Sequence, residues 1–213
     1  MSRPLATSTA PDYWQRATRA LSKADPVMAG LIRAYPGVTL YSRGDPFQTL
    51  FRSIVGQQIS VKAADSVWTR VCAAVTETTP EAVLSVSVEG LRDCGLSQRK
   101  AEYAWDLAAH FVSGRIHARD WPKMADEAVI AELTAVRGIG RWTAEMFLIF
   151  NLMRPDVFPV DDIGLQKAVW QHYFSGEKQP LGVLRAQGEQ WGPWRTVATW
   201  YLWRSLDPVI VSY

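Results

Sequence analysis

Cysteine is nearly absent from this chain, with 2 copies in 213 residues, Cys72 and Cys94. Two thiols cannot build a disulfide framework, and this pair lacks the short spacing of a zinc site. An iron–sulfur cluster takes four thiolates as a rule, so none is expected. Histidine is also scarce, with 3 copies. His110, His117 and His172 are isolated from one another, which argues against a metal or an acid–base role. Charge of one sign is missing too: 23 basic against 21 acidic residues leave a formal +2. A surplus that small announces no partner through a long-range field, so any basic face has to come from local placement. No apolar run is long enough to cross a bilayer and no secretory leader pattern is present. A reducing, cytoplasmic compartment is the expectation. The β-favouring pieces, Val38 to Tyr41 and Val209 to Val211, are too short to make a sheet.

Tryptophan is abundant by contrast, at 10 copies. Indole rings bury large apolar areas, so most should pack a core. The remaining pattern is helical. Asp12 to Leu21 and Pro26 to Tyr35 read as short amphipathic helices. Asp45-Pro46 reads as an N-cap with proline at the first helical position. Phe47, Leu50, Phe51, Ile54 and Val55 then recur at helical spacing, and Gly56 is placed to end or bend that helix. Ser60 is placed to cap the next helix. Helices also fit Pro80 to Leu84, Val88 to Asp93, Lys100 to Val112, Asp126 to Val136, Thr143 to Met153, Asp162 to Tyr173 and Trp194 to Ser205. Residues up to about Ala10 are rich in Ser, Thr and Pro and are expected to be loose. The fold class is therefore all-α.

The most informative stretch runs from Leu133 to Lys167. It reads as helix, tight glycine turn, helix, loop, and then two carboxylates opening another helix. Arg137-Gly138-Ile139-Gly140 puts two glycines where the chain must turn sharply, and glycine both tolerates φ > 0 and lets a foreign backbone come close. The amides of such a turn, with the helix start that follows, can donate to a phosphate. Asp161 and Asp162 follow one helix and one loop later. A grip on a phosphodiester beside an acidic group points to chemistry on DNA.

That stretch resembles the helix-hairpin-helix DNA glycosylases, with Gly138-Ile139-Gly140-Arg141-Trp142-Thr143-Ala144 in the hairpin and Asp162 beyond it. The 3-methyladenine DNA glycosylase II type is the most similar subfamily. Three further segments carry the likeness in family order: Ile54-Val55-Gly56-Gln57-Gln58-Ile59-Ser60, Gly95-Leu96-Ser97-Gln98-Arg99-Lys100-Ala101-Glu102, and Pro193-Trp194-Arg195. A lone Gly-Ile-Gly is weak, whereas the ordered set is specific. The resemblance implies two helical lobes with a DNA-binding and active-site cleft. One lobe spans 46–155, and the other joins 1–45 to 156–213.

It also implies the chemistry. The N-glycosidic bond of an alkylated base breaks, positive charge develops on the deoxyribose, and a carboxylate stabilises it and directs water. Asp162 is the candidate catalytic carboxylate, and Asp161 is expected to cap the helix. Relatives that also cut the strand place a lysine where Trp142 stands, so no Schiff base is expected. Trp142, Trp194 and Met146 are the candidate base pocket, where aromatic faces suit a cationic base. Arg137, Gly138, Ile139, Gly140, Arg141 and Thr143 are the candidate DNA-binding hairpin. The target nucleotide must be flipped out, and Gln57 and Gln58 match the loop that probes the gap. The partner is double-stranded DNA with damaged bases, met by a monomer. No cofactor is expected, although the hairpin carbonyls of relatives can hold a monovalent cation. Three alternatives stay open: a glycosylase for another lesion class, such as an etheno or deaminated base; a non-catalytic helix-hairpin-helix lesion binder, which a carboxylate near phosphates argues against; and a helical protein with a small-molecule pocket, which the four ordered segments argue against.

Overall fold

The computed structural model describes residues 10–206 except Val38 and Arg43. Among the described residues the chain is all-helical, with twelve α-helices. The first are α1 (Trp14–Ala24), α2 (Pro26–Ala34), α3 (Pro46–Gly56), α4 (Val61–Val75), α5 (Pro80–Ser85), α6 (Val88–Asp93), α7 (Gln98–Val112) and α8 (Asp126–Thr134). Then come α9 (Arg141–Phe150), α10 (Ile163–Tyr173), α11 (Leu181–Glu189) and α12 (Arg195–Leu206).

Short polar side chains set most of the starts. The carboxylate of Asp25 accepts from Val27 N at 2.8 Å to open α2, and that of Asp45 accepts from Gln48 N at 2.8 Å to open α3. Ser60, Thr79, Ser87 and Ser97 cap α4, α5, α6 and α7 in the same way. Each satisfies one amide that a helix start leaves without an intrahelical partner. The first helix starts two residues later than its pattern suggests and continues to Ala24. The α11 helix is a larger difference. It contains Gly182 and Gly188, which weaken any helical reading of its sequence. Gly188 is required by packing, since a Cβ there would lie 2.7 Å from the Phe158 ring. The stretch up to residue 9 and the piece Val209 to Val211 lie outside the described residues.

The described residues form two compact units. One gathers those up to Ser42 and from Leu148 onward, and the other holds those between, ending at Phe147. The intervening unit is built on an aromatic train. Trp121 is fully buried. Its ring meets Phe147 edge-on at 5.1 Å and Phe111 at 6.2 Å, and Phe111 in turn meets Phe47 at 5.2 Å. Its indole N–H is satisfied by Glu132 Oε2 at 2.8 Å.

The other unit centres on Asp25, which is 9% exposed. While Oδ1 caps α2, Oδ2 accepts the Tyr173 hydroxyl at 2.6 Å and the Trp191 indole at 3.1 Å. One carboxylate thus ties α2, α10 and the loop before α12 together. Burial, reinforced by the facing Asp25, raises the Tyr173 phenol far above its ordinary pKa. Buried polar groups of this kind hold only when every lone pair and proton finds a partner.

Candidate active site

The hairpin begins where α8 ends. Val136 N donates to Leu133 O at 3.1 Å, and Ile139 N donates to Val136 O at 3.2 Å, which turns the chain back. Gly138 sits at φ +85, and a Cβ there would come within 2.1 Å of the Tyr103 ring. No other residue meets both requirements. Gly140 differs, because nothing lies within 4 Å of its Cβ position. Space is left open on that side of the turn. Ile139 is 4% exposed and anchors the turn in the core. Thr143 is half-buried in the first turn of α9.

Both hairpin arginines already have carboxylate partners. Arg137 Nη2 bonds Glu102 Oε2 at 2.9 Å, and the Arg137 backbone N–H donates to Asp106 Oδ2 at 2.9 Å. Arg141 grips Glu127 with both terminal nitrogens, one of them at 3.0 Å from Oε2, and its Nε bonds Glu145 Oε1 at 3.0 Å. The hydrogen bond from Arg141 holds the Glu127 carboxyl below its ordinary range. Hydrogen bonds from Gln98 and then Arg137 do the same for Glu102. These arginines shape the turn and present no unpaired positive charge. The donors such a turn can turn toward a phosphate are backbone amides, those around Gly140 first.

Asp162 is the N-cap of α10. Its Oδ1 accepts from Leu165 N at 2.7 Å and also from Trp203 Nε1 at 2.9 Å. Trp203 in turn lies flat on Phe150, with centroids 5.9 Å apart and planes 10° from parallel. The candidate carboxylate is thus held in one rotamer by a helix start and by an indole that is itself stacked. This corrects the expectation for Asp161: that residue is exposed, and the cap is Asp162. The sequence reading missed Trp203 and Phe150. Both lie in aromatic-rich helices whose periodicity gives no sign of which ring meets Asp162.

Of the expected base pocket, Trp142 is 40% exposed and Met146 is 8% exposed. They stand one turn apart on α9, on one face. Trp194 belongs to the other unit. Its ring stacks on Tyr13 at 6.1 Å, and the Arg16 guanidinium stands 5.2 Å from its centroid. Neighbouring Arg195 clasps Asp156 through Nε at 2.8 Å and Nη2 at 2.9 Å, fixing the start of α12.

The expected probing residues divide. Gln57 is half-buried, and its Nε2 donates to the carbonyl of Gly138 at 2.9 Å. Gln58 is exposed at φ +58, a left-handed conformation uncommon outside glycine. Ile59 beside it is 41% exposed. The exposed tip of this segment is therefore Gln58-Ile59, with Gln57 turned inward.

The histidines have separate partners: His110 faces the Asp106 carbonyl, His117 the Glu132 carboxylate, and His172 the Ser205 hydroxyl. Among the described residues no group of three or more His, Cys, Asp or Glu is placed to hold a metal ion, and Cys72 and Cys94 are free thiols. Also among the described residues, no helix is long and apolar enough to cross a membrane.

The family model of the HhH-GPD superfamily of base excision DNA repair proteins matches residues 51–193, and the chain belongs to that superfamily. DNA-3-methyladenine glycosylase 1 of Schizosaccharomyces pombe is 34% identical over 166 residues, covering 76% of this chain and 72% of the relative. The chain spans 66% of a Bacillus subtilis relative that is 31% identical to it. Among solved structures, a Bacillus halodurans DNA-3-methyladenine glycosidase is 38% identical with a TM-score of 0.85, over 94% of this chain and 91% of that one. The Schizosaccharomyces pombe 3-methyladenine DNA glycosylase in complex with abasic DNA is 29% identical with a TM-score of 0.75, over 92% and 100% of the two chains.

Proposed function

We propose that this protein is a monofunctional DNA glycosylase that flips alkylated bases of the 3-methyladenine kind out of double-stranded DNA and hydrolyses their N-glycosidic bond. The observation that carries the reading is the Asp162 carboxylate, fixed through one oxygen by Leu165 N at 2.7 Å and Trp203 Nε1 at 2.9 Å. A charge held this rigidly suits a transition state whose positive charge appears in one place, because no reorganisation is needed as the charge develops. Names of the relatives support the alkylated-base class: the fission yeast and Bacillus halodurans proteins are called 3-methyladenine enzymes. The abasic DNA bound to the former's structure is what base removal leaves behind.

Each remaining part has a role in this reading. Asp162 stabilises the oxocarbenium-like sugar and orients water. Trp142 offers no amine to the sugar, so water is the nucleophile and the strand stays whole. Trp142, with Met146 one turn behind it, meets the flat base, and Trp194 is a second aromatic surface. A base alkylated at a ring nitrogen is cationic, is attracted to an indole face, and leaves with little acid assistance. The hairpin of Arg137, Gly138, Ile139, Gly140, Arg141 and Thr143 holds a backbone phosphate, and Gln58 enters the gap left by the flipped base. The enzyme works as an intracellular monomer and needs no cofactor.

The test is release of free base from duplex oligonucleotides carrying methylated, etheno, oxidised or deaminated bases, followed under single turnover. Alkylated bases should leave fastest, with the strand intact and no protein–DNA adduct trapped by borohydride. Preference for 8-oxoguanine or uracil over every alkylated base would sink the substrate assignment. Adduct yields matching base release would sink the hydrolytic mechanism.

A further inference from the structure

The segment Gly95 to Glu102 has no part in the chemistry above, yet it opens α7, and α7 reaches two separate DNA-facing segments. Lys100 Nζ donates to the carbonyl of Val55, at the end of α3, at 2.9 Å. Two residues on, Glu102 receives Arg137 of the hairpin at 2.9 Å. Tyr103 lies under Gly138 so closely that a Cβ there would stand 2.1 Å from its ring. Asp106, three residues further along, accepts the backbone N–H of Arg137 at 2.9 Å. Gln57 closes the circuit from the probing segment by donating to the carbonyl of Gly138 at 2.9 Å.

The bond from Gln57 matters because of what lies across that peptide. The carbonyl of Gly138 is held by Gln57, while the N–H of the next residue, Ile139, is held by Val136 O at 3.2 Å. The Gly138–Ile139 peptide is therefore pinned at both poles and cannot crankshaft. The amides that follow it, at Gly140 and the start of α9, inherit a fixed direction. Lys100 is partly buried and its pKa is lowered by that burial, as befits an ammonium turned toward a carbonyl and not toward solvent.

We propose that Gln57, Lys100 and Glu102 are positioning residues that brace the probing segment against the hairpin, so that the phosphate grip and the probing of the base stack act as one mechanical unit. The proposal rests on the glycosylase reading for what the unit does. Gln57 thereby becomes a strut, and the probing contact falls to Gln58 alone.

The experiment uses the full chain, an undamaged duplex, an abasic duplex, and a duplex with 2-aminopurine beside the lesion to report unstacking. Gln57→Glu is nearly isosteric but exchanges the Nε2 donor for a negative charge, so the uncharged Gln57→Met, which also lacks the donor, is measured beside it and must behave alike; Lys100→Met keeps the chain length without the ammonium. Each should weaken binding to undamaged and abasic duplexes alike by about fivefold to tenfold, the worth of one hydrogen bond. Each should also slow unstacking, with melting and circular dichroism close to wild type. Lys100→Arg should restore both properties. Gln58→Ala should slow unstacking and leave affinity for undamaged duplex as it was. If Gln57→Glu slows unstacking but binds undamaged duplex like wild type, Gln57 is itself the probe and the brace is wrong. Weakened binding with normal unstacking, or no change in either, overturns the coupling just as clearly. Should Gln57→Glu fail to fold, Gln57→Ala serves in its place. Base release by the wild-type enzyme, measured alongside, tests the glycosylase reading separately.

Discussion

Replacing Asp162 with asparagine should separate charge from structure at this site. The two donors on Oδ1, Leu165 N at 2.7 Å and Trp203 Nε1 at 2.9 Å, can both be accepted by an amide oxygen in the same position. Asparagine also caps helices about as well as aspartate, so α10 keeps its start. What disappears is one negative charge. A unit charge about 4 Å from a developing cation, at an effective dielectric near 20, is worth about 4 kcal/mol. With about 1.36 kcal/mol per decade, that is roughly a thousandfold loss in the rate of base release. Binding to abasic duplex and the melting temperature should change little. Asp162→Ala should lose activity too, but it should also lower the melting temperature by roughly 2–4 °C, because removing the cap costs about 1 kcal/mol in a chain of this size. Asp161→Asn is the control, since Asp161 is exposed and holds no cap. The assay is single-turnover release of an alkylated base with enzyme in excess, so that product release is not measured. An Asp162→Asn enzyme within tenfold of wild type would refute the electrostatic role. Equal losses from Asp161→Asn and Asp162→Asn would refute the choice between them.

The two hairpin glycines should behave differently. Gly138→Ala must adopt φ +85 against the Tyr103 ring and should destabilise the fold by at least about 2 kcal/mol in denaturant titration. Gly140→Ala meets no atom within 4 Å and should keep the wild-type melting temperature while weakening DNA binding, damaged or not. Unaltered DNA affinity in a folded Gly140 variant with a bulkier side chain would remove the hairpin from the mechanism. Trp203→Phe keeps a ring against Phe150 and deletes the donor to Asp162, so single-turnover release should slow by about tenfold, the worth of about 1.5 kcal/mol for a charge-assisted bond; an unchanged rate would show that the indole does not orient the carboxylate. Burial pushes the Glu132 carboxyl up, but hydrogen bonds from Trp121 and His117 outweigh it and leave the pKa below the ordinary value. A depressed carboxylate stabilises the fold above the ordinary pKa and loses that contribution as pH falls through its lowered value. Glu132→Gln should therefore melt well below wild type at neutral pH, with the gap closing in acid, and a gap that widens in acid would contradict the assignment.

The helical content was legible wherever capping chemistry and apolar spacing coincide. Asp45-Pro46 followed by Phe47, Leu50 and Phe51 gives α3 its start, face and end, and Ser60 opens α4 as its position suggests. The reading failed where a residue type is chosen by tertiary packing. Gly188 makes α11 look unlike a helix because its reason for being glycine is the Phe158 ring, 30 residues earlier in sequence. At the candidate site, the hairpin and Asp162 stood out because their local geometry is written in short motifs. The partners of those motifs were invisible. Nothing near Asp162 in sequence names Trp203 as the donor to its oxygen. Nothing near Gln57 announces that it faces the hairpin carbonyl, whereas Gln58 follows the expectation of an exposed loop. The arginines mislead in the same manner. Beside a phosphate-binding turn they look like phosphate ligands, and only Glu102, Glu127 and Glu145, distant or helical in sequence, reveal their engagement.

Those ion pairs change what a meeting with DNA involves. A cationic side chain that neutralises a phosphate frees the cations condensed there on the DNA, and that release is the usual source of steep ionic-strength dependence. Arg137 is paired instead with Glu102, and Arg141 with both Glu127 and Glu145, and Glu102 and Glu127 are held below the ordinary carboxylate range. To serve a phosphate, either arginine would exchange one anion for another, and the displaced carboxylate, left close to the strand, would offset part of the neutralisation that frees cations from the DNA. On the glycosylase reading proposed above, contact at the hairpin falls to neutral amide donors, which neutralise no phosphate.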